Sequence, residues 1–253
     1  MKILSVANQK GGVGKSTLTV HLAYAAAEAG LRVLLVDMDK QGSLSLTFPI
    51  PDGALDGLMA SSLYEVAPPP LKPQPVTENI SIIRADNALL TIDKAENEVI
   101  RRPGQALRAL AADYDLCLID TPPLLGIRLM ASLAASDYVV TPVSVGLYEL
   151  AGVADLMATI HVIRTQGFNS RLQHVGILPM KTNNRAKEEV QALEQLREAY
   201  GPAILPEVLA ERAPVRKAIA RRIPVWQSTR GEGHLLAAKE WKAACNSILG
   251  RIA

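Results

Sequence analysis

Eight consecutive residues, Lys10-Gly11-Gly12-Val13-Gly14-Lys15-Ser16-Thr17, combine two lysines, three glycines and two hydroxyls directly after an aliphatic run, Ile3 to Ala7. Glycines tolerate positive φ and let backbone N–H groups approach an anion closely. A loop of this kind between a strand and a helix aims amides and the helix dipole at phosphate. On that chemistry the amides of Gly11, Gly12, Val13 and Gly14 cradle phosphates and Lys15 reaches the β- and γ-phosphates. The Ser16 hydroxyl ligates Mg²⁺, with Thr17 beside it. The generic phosphate-loop pattern asks for a glycine at the position of Gln9, so this loop is a variant with an additional lysine, Lys10, at its head. Acids follow two further aliphatic runs: Asp37 and Asp39 after Val33–Val36, and Asp120 after Leu116–Ile119. Carboxylates there can hold Mg²⁺, Asp120 through a metal-bound water near Ser16, and can orient an attacking water.

The elements that must position these groups alternate along the chain. Runs at Ile3–Ala7, Val33–Val36, Ile80–Ile83, Leu116–Ile119, Tyr138–Thr141 and Val175–Leu178 read as strands. Between them Leu18, Leu22, Ala25, Ala26 and Ala29 share one helical face, and Gly30 stands where a helix-terminating glycine belongs. Residues 149–166 and 185–200 predict two more helices. The alternation implies a doubly wound α/β fold, a mostly parallel sheet with helices on both faces, in a single domain over 1–253. Ligands then belong at the carboxyl ends of the strands, where the glycine loop and the acids fall.

The loop resembles that of the deviant Walker A ATPases, and within them the ParA partition members of the ParA/MinD family. The resemblance spans roughly the whole chain, with its specificity in three motifs. It implies ATP and Mg²⁺ as cofactors, weak hydrolysis of ATP, and an ATP-sandwich homodimer in which Lys10 contacts the partner's phosphates. Asp37-Met38-Asp39-Lys40-Gln41 is similar to the family's first switch region, with Asp39 at its catalytic aspartate and Lys40 where proline is usual. Asp120-Thr121-Pro122-Pro123 is similar to its second. Catalytic roles accordingly fall to Lys10, Lys15 and Asp39, and metal binding to Ser16, Asp37 and Asp120. The resemblance places the adenine against Thr182 or Asn183, and against the backbone of Pro206 and Glu207.

Composition narrows the classes. Of 253 residues 49% are hydrophobic and only 4% aromatic, so the core is aliphatic, as a parallel sheet between helices requires. The net charge of +2 does not by itself announce a nucleic-acid binder. Yet Arg212, Arg216, Lys217, Arg221 and Arg222 fall within eleven residues that contain no acid. On a helix most would share a broad face suited to DNA backbone phosphates. Cys117 and Cys245 show no metal or disulfide spacing and fit a reducing cytoplasm. No secretory signal is evident, and no apolar run approaches the ~18 residues of a membrane span. The N-terminus is short for a separate operator-binding domain, which disfavours autorepression.

Five prolines within Ala67–Pro75 read as a stiff surface connection rather than a proline-recognition ligand. In the last helix Trp241, Cys245 and Leu249 form a core-facing stripe, against the alternative of a membrane-targeting segment like that of MinD. The expected function is a cytoplasmic, nucleoid-associated DNA-segregation ATPase. It would bind DNA non-specifically as an ATP dimer and be released on hydrolysis stimulated by a ParB-like partner. Positioning of a non-DNA cargo by the same ATPase stands as the alternative, and a metabolic ATP-dependent ligase of the same fold as a third.

Overall fold

The computed structural model describes residues 1–49, 57–67, 69, 72–145, 149–182 and 186–253. Along the chain run β1 (Lys2–Val6), α1 (Lys15–Glu28), β2 (Val33–Asp37), α2 (Ser43–Thr47), β3 (Gln74–Thr77) and β4 (Ile80–Ile83). Then come α3 (Leu89–Ile92), α4 (Arg102–Ala109), β5 (Leu116–Asp120), α5 (Ile127–Ala135), β6 (Tyr138–Ser144) and α6 (Glu149–Thr165). The chain finishes with β7 (Gln173–Thr182), α7 (Lys187–Tyr200), β8 (Leu209–Ala210), α8 (Ala213–Ala220) and α9 (Glu232–Arg251). The strands form one sheet in the order β3-β4-β2-β5-β1-β6-β7-β8, parallel throughout except for the β3–β4 edge pair. The doubly wound, mostly parallel arrangement expected from the alternation is therefore the fold.

Alternation along the strands feeds a core on each face. Leu4, Leu35 and Leu118 pack with α1 and α9, whereas Ile3, Leu34 and Cys117 pack with α4 and α5. Trp241 and Cys245 are buried in the first of these cores and Leu249 packs against it, so this stripe of α9 faces inward as expected. Both cysteines are free and fully buried, and burial pushes both thiols up, which leaves them inert. Helix α1 ends as its sequence requires. Gly30 takes φ 84°, its N–H bonds to the Ala27 carbonyl and that of Leu31 to the Ala26 carbonyl. That is the paired ending a left-handed glycine permits.

Two strands escape the periodicity. β3 carries Pro75, a residue that a sheet accepts at an edge, and β8 has only two residues. Of the proline-rich segment, Pro68, Pro70 and Leu71 lie outside the described residues. Among the described residues no helix is long and apolar enough to cross a membrane.

Candidate active site

Strand register sets the geometry. β1 and β2 flank β5, with Val6 and Asp37 each level with Asp120. The glycine loop and both strand-end acids thus share the carboxyl edge of the sheet. Gly12 and Gly14 adopt φ 75° and 103°, and Gly14 caps α1. At φ 103° the conformation favours glycine there, and an added Cβ would also come 2.9 Å from the Met180 methyl, which would have to move. At the head of the loop the Asn8 side chain accepts from the Lys10 amide at 2.9 Å and donates to the Pro142 carbonyl at 2.8 Å. Gln9, standing where the generic pattern has glycine, donates to Thr159 Oγ1 at 2.7 Å. That bond ties the loop to α6.

Lys15 Nζ folds back onto the loop, 3.1 Å from the Asn8 carbonyl and 2.9 Å from that of Lys10. Burial lowers its pKa, and the charges of Asp120 and Asp39 oppose that shift. An ammonium whose hydrogen bonds, among the described residues, go to two carbonyls is poised to exchange them for phosphate oxygens.

The acids are not equivalent. Asp37 Oδ1 accepts from the Asp39 amide at 3.1 Å, while Oδ2 accepts from the Ser45 amide at 2.8 Å and its hydroxyl at 2.7 Å. Burial, with Asp39 nearby, raises its pKa to about 6 against those bonds. Asp37, which the sequence suggested as a metal ligand, braces its own loop through these bonds. Asp120 is buried with both carboxylate oxygens lacking a hydrogen-bond partner. Burial and the Asp37 charge push its pKa up to about 8, opposed by Ser16 and Lys15. A buried carboxyl without partners is costly unless a cation or donor joins it. Asp120 with the Ser16 hydroxyl offers the hard oxygen donors that Mg²⁺ takes, so the residues fit that ion. Among the described residues no cluster of three or more His, Cys, Asp or Glu forms a self-contained metal site. Any ion here shares its shell with nucleotide and water.

A cleft of about 490 Å³ opens above the loop, with Lys15, Ser16 and Asp39 on one side and Met180, Lys181 and Leu209 on the other. Three of the expected base contacts, Thr182, Pro206 and Glu207, are not among the residues that line this cleft. β7 runs further than the sequence suggests, and Thr182 pairs in the sheet with Ala210. This buries the Thr182 hydroxyl without a partner outside the cleft lining, which also omits Pro206 and Glu207. Asn183 lies outside the described residues. Lys181 instead takes φ 54° and donates from Nζ to the Gly12 carbonyl, a contact that no spacing in the sequence announces.

The basic run does not form one face. α8 ends at Ala220, Arg212 precedes it as cap, and Arg222 lies beyond it at φ 59°. Arg212 is bound through two nitrogens to Glu240 of α9 at 3.0 and 2.7 Å, so the acid missing from the local sequence arrives through the fold. Arg212 and Arg216 line the nucleotide-sized cleft. Lys217 and Arg221 line a second cavity of about 230 Å³, joined there by Arg230. The side chains of these three have no ion-pair partner among the described residues.

A family model described as an AAA domain matches residues 1–174. The chain is 33% identical over 261 residues to protein IncC of Escherichia coli, an alignment covering all of this chain and 70% of IncC. It is 35% identical over 236 residues to the chromosome-partitioning ATPase Soj of Thermus thermophilus, covering 87% of this chain and 88% of Soj. A solved structure of cobyrinic acid a,c-diamide synthase from Mycobacterium smegmatis, with bound ATP analog and magnesium, matches at TM-score 0.80 and 25% identity. That match covers 98% of this chain and 94% of the other. The fold is shared with a metabolic enzyme, but identity is higher toward the partition proteins, and the glycine loop carries a lysine at its head as well as at Lys15. The chain belongs to the ParA-type partition ATPases.

Proposed function

We propose that this chain binds MgATP in the cleft, pairs with a second copy across it, and in that state holds DNA without regard to base sequence. Hydrolysis stimulated by a ParB-like partner then releases it. The observation that carries the reading is Asp120: a buried carboxyl with both oxygens unpartnered, at a strand end level with the glycine loop and beside Lys15. Among the described residues its two oxygens have no hydrogen-bond partner; Ser16 and Lys15 favour its charged form, and a nucleotide-bound cation would satisfy it.

In this reading Lys15 leaves the Asn8 and Lys10 carbonyls for the β- and γ-phosphates, and the amides of the loop hold the rest of the triphosphate. Bound Mg²⁺ would supply charge neutralisation at the phosphates. Asp39, at the mouth of the cleft, orients the attacking water and takes its hydrogen bond. Lys10 adds positive charge to the partner's site, where charge develops during transfer. Lys217, Arg221 and Arg230 support the DNA reading, because unpaired cations gathered in one cavity attract a polyphosphate backbone.

DNA pelleting with ATP, ADP and no nucleotide tests this, alongside Lys10→Ala. ATP alone should bring the wild-type chain down with DNA, and Lys10→Ala should bind ATP yet neither dimerise nor pellet. Pelleting indifferent to nucleotide would reject the switch. An ATP dimer that ignores DNA would instead favour a non-DNA cargo. ATP-dependent amidation of a small carboxylic acid would favour the ligase reading that the synthase structure represents.

A further inference from the structure

Arg128 is a buried arginine at the start of α5, just past the segment that begins at Asp120. Its Nε and Nη2 donate to Asp93 Oδ2 at 3.0 and 2.6 Å, and its Nη1 donates to the Met38 carbonyl at 2.9 Å. Met38 is the residue between Asp37 and Asp39. Asp93 also lies next to Gly126, at the far end of the Asp120 segment, where an added Cβ would come 3.1 Å from Asp93 Oδ1. One guanidinium–carboxylate pair therefore bonds to the loop that carries Asp39 and lies beside the segment that begins at Asp120.

A guanidinium is kept in a protein interior only when its fork of donors is matched by acceptors. Here one acceptor is the carbonyl of the peptide that leads into Asp39. The Met38–Asp39 peptide is held from both sides: its N–H by Asp37 Oδ1, its C=O by Arg128. Among the described residues the Asp39 side chain bonds only within its own turn, accepting from the Gln41 amide at 3.1 Å. Its aim into the cleft thus depends on how that peptide plane is fixed.

We propose that Arg128 is a positioning residue for hydrolysis. By locking the Met38 carbonyl it sets the orientation from which Asp39 addresses the attacking water, and through Asp93 it keeps that loop in step with the segment carrying Asp120. The proposal rests on the ATPase reading above. Arg128 is not among the residues that line the cleft, so its loss should act on turnover and not on binding.

The test is steady-state hydrolysis of ATP by the full chain, with ATP affinity measured separately by fluorescence of a labelled nucleotide. Arg128→Met should lower kcat by about tenfold while Kd and KM stay within about twofold. Arg128→Lys, which keeps the charge but loses the fork, should recover part of the loss. A folded Arg128→Met variant with wild-type kcat overturns the proposal, and so does a rise in Kd that matches the fall in kcat. If Arg128→Met does not fold, Asp93→Asn meets the same criterion, because it leaves the guanidinium but slackens its anchor. A kcat fall of about threefold at unchanged Kd supports the proposal, and an unchanged kcat overturns it. A wild-type chain that hydrolyses no ATP sinks the ATPase reading itself, whereas a turning-over wild type beside an indifferent variant sinks only this proposal.

Discussion

Lys15 and Asp39 line one cleft, and on the proposed function they act at different stages. The Lys15 ammonium is desolvated and held by two carbonyls, so it binds phosphate with little further loss of hydration. Lys15→Ala should weaken ATP binding by about a hundredfold or more, read by titration calorimetry, because charge-assisted bonds to the triphosphate disappear. Near-normal affinity in that variant would remove the loop from the phosphates. Among the described residues the Asp39 carboxylate is anchored to its own turn alone, and on the proposed function it acts after nucleotide is bound. Asp39→Ala should retain ATP affinity and dimerise, while kcat falls by about a hundredfold. Partner-stimulated turnover at the wild-type rate would show that this carboxylate does not handle the water.

At the scale of elements, α1 is fastened to the C-terminal segment by a histidine whose role is invisible in the sequence. His21 is buried; its Nδ1 lies 2.7 Å from the Thr17 carbonyl, and its Nε2 accepts from the Val225 amide at 3.2 Å. That pairing fixes the neutral ring with its proton on Nδ1, because Nε2 must accept. The ring also stacks at 4.3 Å from Trp241. Burial lowers its pKa to about 4, below the ordinary 6.5. A histidine whose pKa is depressed by folding contributes stability that is complete above the unfolded value and is lost as pH falls toward the folded one. Between pH 7 and pH 4 the folded state should therefore lose about 3 kcal/mol through His21. His174, also lowered to about 4, adds its own loss, so the comparison must be with His21→Gln. Urea unfolding at the two pH values should show the variant losing about 3 kcal/mol less than wild type. Parallel losses would mean that protonation at His21 is tolerated.

For the whole molecule, the cations are divided by the fold between two cavities, and this changes which substitutions can separate DNA binding from nucleotide binding. Arg216 lines the nucleotide cleft, so on the proposed function its removal should perturb both activities, whereas Lys217 and Arg221 line the other cavity. Replacing Lys217 and Arg221 by glutamine should flatten the log–log salt dependence of DNA binding by about 2 to 4 units in a dimer, with ATP-dependent dimerisation intact. An unchanged slope would make these residues a solvated face only, and base-selective binding would reject the backbone model. The chemistry of the phosphate loop was legible in the sequence because it is local: Gly12, Gly14, Lys15 and Ser16 act within one strand–loop–helix connection, and their spacing alone dictates an anion site. The aliphatic runs likewise determined the sheet and its layers, since a strand buried on both faces has to be apolar. Contacts between distant segments were decided only by the tertiary structure. Register alone brings Asp37 level with Asp120, strand extension takes Thr182 into the sheet, and Glu240 reaches Arg212 from another helix. Arg128 finds the Met38 carbonyl only after α5 packs beside the acidic loop. None of these pairings has a fixed spacing along the chain. Each follows from which surfaces the helices bury, and that is settled by packing over the whole sheet.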